Sequence, residues 1–127
     1  MRFGIAGCTG RMGRLLLAEI QSMGHEVVAG TVSERSKFIG TDLGDLIGPT
    51  RMNVAATTDP AALFAADVVI DFTTPGASRL HAELAAMKGK PLVVGTTGID
   101  STVDRAFLAA SQVVPVLWSA NFSRGVA

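Results

Sequence analysis

The chain has 127 residues, 48% of them hydrophobic, and its 11 basic and 11 acidic side chains leave no formal net charge. That length suits one domain, spanning 1–127, and a neutral chain has no global attraction for nucleic acid or for an anionic membrane surface. A single cysteine, Cys8, excludes an internal disulfide, and no apolar run is long enough to cross a bilayer, so a reducing, cytoplasmic setting is expected.

The first strand is expected over Arg2-Phe3-Gly4-Ile5-Ala6, followed by the turn Gly7-Cys8-Thr9-Gly10-Arg11-Met12-Gly13. A helix from about Arg11 to Met23 comes next, with Met12, Leu15, Leu16, Ile20 and Met23 at apolar spacing and Gly24 as its stop. A strand, a glycine turn and a helix together offer free backbone N–H groups to a phosphate. Gly7 suits a tight turn, Gly10 admits a pyrophosphate, and Gly13 lets the helix pack on its strand. Glu26–Val32 reads as the second strand. Residues 33–51, with Gly40, Gly44, Gly48 and Pro49, read as an irregular loop with a helical turn near Asp42–Ile47. Met52–Ala56 is a candidate third strand. Thr58 or Asp59 caps a short helix with Pro60 first.

Asp67–Phe72 is an apolar run of parallel-strand type. Thr73 or Thr74 caps the next helix, Pro75 to about Lys88, whose spacing predicts Leu80, Leu84 and Met87 in the core. A strand over Pro91–Gly95, a helix over Ser101–Ser111 and a last strand over Val113–Trp118 complete the alternation. The fold class is α/β, a Rossmann-like, doubly wound parallel sheet in three αβα layers. Ligands of such sheets sit beyond the carboxyl ends of the strands. Those ends carry Asp71-Phe72-Thr73-Thr74-Pro75, Gly95-Thr96-Thr97-Gly98 and Ser119-Ala120-Asn121-Phe122-Ser123. Small and hydroxyl residues of this kind let a nicotinamide or a ribose approach closely. No metal-ligand cluster stands out. Cys8, in the phosphate turn, reads as a small residue that fits, although a helix N-terminus is where a thiol turns reactive.

The turn with Arg11-Met12-Gly13, the Asp71-Phe72-Thr73-x-Pro75 segment, the Gly95-Thr96-Thr97-Gly98 segment and the Asn121-Phe122-Ser123-x-Gly125-Val126 segment occur in this order. In that combination the chain resembles the nucleotide-binding half of the dihydrodipicolinate reductase family (4-hydroxy-tetrahydrodipicolinate reductase). The resemblance implies a reductase using NADH or NADPH in the diaminopimelate and lysine pathway. It implies that Gly7, Cys8, Thr9, Gly10, Arg11 and Met12 hold the pyrophosphate and adenosine side. Gly95, Thr96 and Thr97 then line the nicotinamide and its ribose, with Thr97 nearest the substrate. Ser119, Ala120, Asn121 and Phe122 close over the nicotinamide.

Two departures stand out. The family carries an acid and then an arginine at the end of the second strand, where an ungapped match puts Val32 and Ser33, with Glu34 and Arg35 two residues late. Either Glu34 takes the ribose hydroxyls, or Ser33, Arg35, Lys37 and Arg11 form a pocket for a 2′-phosphate, and the balance leans slightly to acceptance of NADPH. The chain also stops at Ala127, where the family continues into a substrate and tetramerisation domain that binds substrate and supplies the proton. Its two histidines read otherwise: His25 as an exposed turn residue and His81 as a helix residue away from the chemistry. The expectation is a piece of a longer enzyme that holds a cofactor, turns nothing over alone, and self-associates through an apolar patch near Trp118. The rival readings are a non-enzymatic dinucleotide-binding regulatory module and another two-domain NAD(P)-dependent dehydrogenase.

Overall fold

The computed structural model describes residues 1–118. Its strands are β1 (Arg2–Ala6), β2 (Glu26–Thr31), β3 (Val68–Asp71), β4 (Leu92–Val94) and β5 (Val116–Trp118). They form one parallel sheet in the order β2-β1-β3-β4-β5. The helices are α1 (Arg11–Ser22), α2 (Pro75–Lys88) and α3 (Ser101–Ser111), with single 3₁₀ segments at Leu43–Leu46 and Pro60–Ala65. Capping follows side-chain chemistry. Asp59, Thr74 and Asp100 each accept the N–H two or three residues on, and a proline occupies the first turn after Asp59 and after Thr74.

Two apolar clusters lie on the two faces. Ile5, Leu17, Ile20, Val27, Leu43 and Leu46 pack around α1 and the 3₁₀ turn. Leu63, Val69, Ala82, Ala85, Leu92 and Phe107 pack around α2 and α3. The chain leaves β1 for β2 on one side and returns past β1 to β3 on the other. The topological switch point therefore lies between the carboxyl ends of β1 and β3, where this fold class keeps its ligand crevice.

Three expectations are corrected. Met52–Ala56 is not a strand; only isolated bridges remain, Asp42 to Ala55 and Thr31 to Thr57. The N–H groups of Met52 and Val54, which would join a ladder, go instead to the Asp42 carboxylate at 2.8 and 2.9 Å. Asn53, between them, takes a positive φ of 59°. The buried stripe of α1 is Gly13, Leu17 and Ile20, while Met12, Leu15 and Met23 are exposed. Contact of Gly13 with the turn fixes the rotation of the helix. In α2 the buried residues are Ser78, His81, Ala82 and Ala85; Leu80 and Met87 are exposed, Met87 by 75%.

Candidate functional site

Gly7 sits at φ +80°, and a side chain there would strike the Phe72 carbonyl oxygen. The N–H groups of Gly7 and Cys8 both donate to the Thr31 carbonyl, at 3.2 and 3.1 Å, tying the turn to β2. A Cβ on Gly13 would strike the Gly7 carbonyl and the Cys8 backbone. Gly10 differs from both. Its backbone is extended, and the nearest atom to an added Cβ is the Gly7 carbonyl oxygen at 3.6 Å, an ordinary contact. Packing therefore does not require glycine at this position. Gly10 is the N-cap of α1, with no capping side chain and no acid in the first turn. The N–H groups of Arg11, Met12 and Gly13 have no helical carbonyl partner, and the helix dipole adds to their attraction for an anion. Arg14 braces the turn: its Nε donates to the Thr9 carbonyl at 2.9 Å and its Nη1 to the Leu46 carbonyl at 3.3 Å.

Two cavities meet at this turn. The first, about 430 Å³, runs from Gly7, Thr9 and Gly10 to Ser33 and Glu34 at the end of β2, with Ala77, Leu80 and His81 of α2 on its other wall. The second, about 270 Å³, lies between Gly10–Gly13 and Gly95–Thr97. Gly10, Phe72 and Thr73 line both. Gly95 is small because the Phe72 ring occupies the space a Cβ would need.

Beneath the shared wall lies a buried polar network. Asp71 is wholly buried. Its Oδ1 accepts the Thr73 N–H at 3.0 Å and the Thr73 hydroxyl at 2.6 Å. Its Oδ2 meets His81 Nδ1 at 2.8 Å. The Thr73 N–H also donates to Thr96 Oγ1 at 3.1 Å, and Thr96 Oγ1 lies 2.7 Å from Ser78 Oγ. A carboxylate only accepts, so His81 Nδ1 is the donor in its pair.

The site residues expected from sequence fall into groups. Gly7, Thr9, Gly10 and Ser33 line the first cavity; Gly10, Arg11, Met12, Gly95, Thr96 and Thr97 line the second. Two are corrected. Cys8 has a fully buried side chain within the α1-side cluster, and its N–H is held by Thr31, so neither faces the groove. Burial pushes its thiol up to about 11, against the pull of backbone hydrogen bonding and of Arg14. Thr96 borders the second cavity, but it is only 3% exposed and its hydroxyl points to Ser78 and Thr73. Ser119, Ala120, Asn121 and Phe122 lie outside the described residues. Of the basic cluster, Arg11 lines the second cavity, Lys37 Nζ sits 5.3 Å from the Phe38 ring centroid, and neither Arg35 nor Lys37 borders the first cavity, whereas Glu34 does.

Sequence reasoning missed Ala77, Leu80 and His81 as wall residues. Their signal was present: they follow Thr74 at helical spacing, so one stripe of α2 continues the strand end into the cavity.

The family model for the N-terminus of dihydrodipicolinate reductase matches residues 1–122. The chain belongs to this family. It is similar to 4-hydroxy-tetrahydrodipicolinate reductase of Aromatoleum aromaticum, 40% identical over 99% of this chain and 46% of that relative. The chain thus spans about half the length of the curated relatives it matches. Among solved structures it is similar to a dipicolinate-bound dihydrodipicolinate reductase from Paenisporosarcina sp. (TM-score 0.73, 22% identity, 98% of this chain and 49% of that one). A WlbA dehydrogenase from Bordetella pertussis, in complex with NADH and UDP-GlcNAcA, shares the fold at TM-score 0.68 and 19% identity, covering 92% of this chain and 35% of that one. Among the described residues, no helix is long and apolar enough to cross a membrane.

Proposed function

We propose that this chain is the dinucleotide-holding part of an NAD(P)H-dependent reductase of 4-hydroxy-tetrahydrodipicolinate, a cytoplasmic enzyme of diaminopimelate and lysine biosynthesis. Membership of the reductase family, and the name of the 40%-identical relative, support the activity. The observation that carries the cofactor reading is the uncapped start of α1 at Gly10, open at the junction of two cavities. In this reading the N–H groups of Arg11, Met12 and Gly13 hold the pyrophosphate. The adenosine side fills the first cavity and the nicotinamide side the second, with Thr97 toward the substrate. When bound, the nicotinamide supplies the hydride, and this chain orients its ring and excludes water from one face. Proton transfer and most of the substrate's contacts belong to the remainder of the longer enzyme.

Glu34, on the rim of the first cavity, supports NADH over NADPH. A carboxylate there accepts ribose hydroxyls and repels a 2′-phosphate. This reverses the lean drawn from Arg35 and Lys37, which stand off the cavity. Titrating the purified chain with NADH and with NADPH, by nucleotide fluorescence at two salt concentrations, tests both points. Binding of NADH with the tighter constant is expected, with no turnover by this chain alone. A folded chain that binds neither nucleotide overturns the reading.

A further inference from the structure

We infer that Ser78 is a positioning residue for the nicotinamide side of the groove, an inference that rests on the cofactor reading above. Ser78 is wholly buried in α2 and borders neither cavity. It acts through what it touches. Its Oγ lies 2.7 Å from Thr96 Oγ1 and 3.4 Å from Thr73 Oγ1. The hydrogens can be ordered in one direction. The Thr73 N–H donates to Thr96 Oγ1, the Thr96 hydroxyl to Ser78, the Ser78 hydroxyl to Thr73 Oγ1, and the Thr73 hydroxyl to Asp71. This ring ties the loop after β3 to the loop after β4, and these two loops form one side of the second cavity.

The two sides of the network divide the work. Thr73, on the wall shared by both cavities, is already held by two bonds to Asp71, which His81 holds in turn. On the β4 side, the Gly95 N–H donates to the Asp71 carbonyl at 2.8 Å and Thr96 Oγ1 accepts the Thr73 N–H, while the Ser78–Thr96 pair joins this edge to α2. Loss of Ser78 leaves the Asp71 bonds to Thr73 in place and takes from the Gly95–Thr97 edge its bond to α2, so that edge can shift. Buried hydroxyl networks of this kind restrict a site to one geometry, and their members couple strongly.

The test is a double-mutant cycle on the purified chain, read by titration with NADH and with ADP-ribose, which lacks the nicotinamide. Ser78→Ala is expected to weaken NADH about fivefold, the scale of one hydrogen bond, and Thr96→Val, which also removes the acceptor of the Thr73 N–H, by at least that much. The double variant should lose about what Thr96→Val loses alone, not the product of the two losses. ADP-ribose, which keeps the nicotinamide-side ribose but lacks the ring, should lose clearly less than NADH throughout, and circular dichroism at the titration temperature confirms that each variant is folded. A role in stability alone lowers the melting temperature and leaves both dissociation constants in place. Unchanged NADH binding, losses that multiply, or an equal loss for ADP-ribose each overturns the assignment of Ser78. A folded wild-type chain that binds no dinucleotide overturns the cofactor reading, and this inference with it.

Discussion

Three glycines of one turn are built for different reasons, and substitution separates them. An alanine at Gly13 would meet the Gly7 carbonyl and the Cys8 backbone, so Gly13→Ala should destabilise the fold by about 3 kcal/mol in urea denaturation. An alanine at Gly10 has room in the protein and an extended backbone, so Gly10→Ala should stay within about 1 kcal/mol of wild type. Its methyl group would stand in the path of the proposed pyrophosphate, and NADH affinity should fall at least about tenfold, or ~1.4 kcal/mol. Retained affinity in a stable Gly10→Ala chain would remove the anion site from this turn. At the end of β2 the expected change has the opposite sign. Glu34→Gln removes a charge that repels a 2′-phosphate, so the ratio of NADPH to NADH affinity should rise, by about three- to tenfold for a partly screened surface charge. Cys8 sits inside the same turn with a thiol pushed up to about 11 by burial. A thiol reagent at pH 7.5 should therefore leave the native chain unmodified and label it once unfolded.

At the scale of an element, the segment between β2 and β3 is organised by one carboxylate. Asp42 accepts the N–H groups of Met52, Gly44 and Val54, and Arg51 lies 3.8 Å away. The Met52 hydrogen bond, followed by those of Gly44 and Val54 and the charge of Arg51, holds its carboxyl below the ordinary range, against the effect of burial. A carboxyl with a lowered native value stabilises the fold above its unfolded value of about 3.9, and that contribution is lost as pH falls through the native value. Melting temperature measured from pH 6 down to pH 2 should show this acid-side loss in wild type and a smaller one in Asp42→Asn. The same segment shows where sequence legibility stopped. β1 and α3 were readable to the residue, and β3 and β4 to within one residue at each end, because apolar runs and caps are local signals. Met52–Ala56 has strand composition, and only the fold reveals that Asp42, ten residues earlier, takes its N–H groups. The apolar stripe of α2 misled for a related reason. Its inward face carries Ser78 and His81 because the strand ends they meet carry Thr96 and Asp71, so Leu80 turns to the cavity and Met87 to solvent. A partner on another strand is invisible to periodicity.

For the whole molecule, the sheet order puts three separate segments at one edge: Gly7–Gly10 after β1, Phe72–Thr74 after β3, and Gly95–Thr97 after β4. Their motifs were legible individually in the sequence, and their order along the chain carried the family resemblance. The division of the groove was not legible, because it depends on the Phe72 ring lying against Gly95 and on the inward turn of the Thr96 hydroxyl. A ligand that bridges these segments cross-links β1, β3 and β4, so its binding energy adds to the stability of the whole sheet. For a ligand bound only by the native state, the gain at a hundred times the dissociation constant is about 2.7 kcal/mol. In a domain of this size that corresponds to a rise in melting temperature of about 10 °C. NADH at that concentration should produce this shift in wild type. At the same NADH concentration Gly10→Ala should show a clearly smaller one, because its dissociation constant is higher while its unliganded fold is nearly unchanged. A rise of equal size in both chains would mean that the nucleotide binds elsewhere on the molecule, away from the N-terminus of α1.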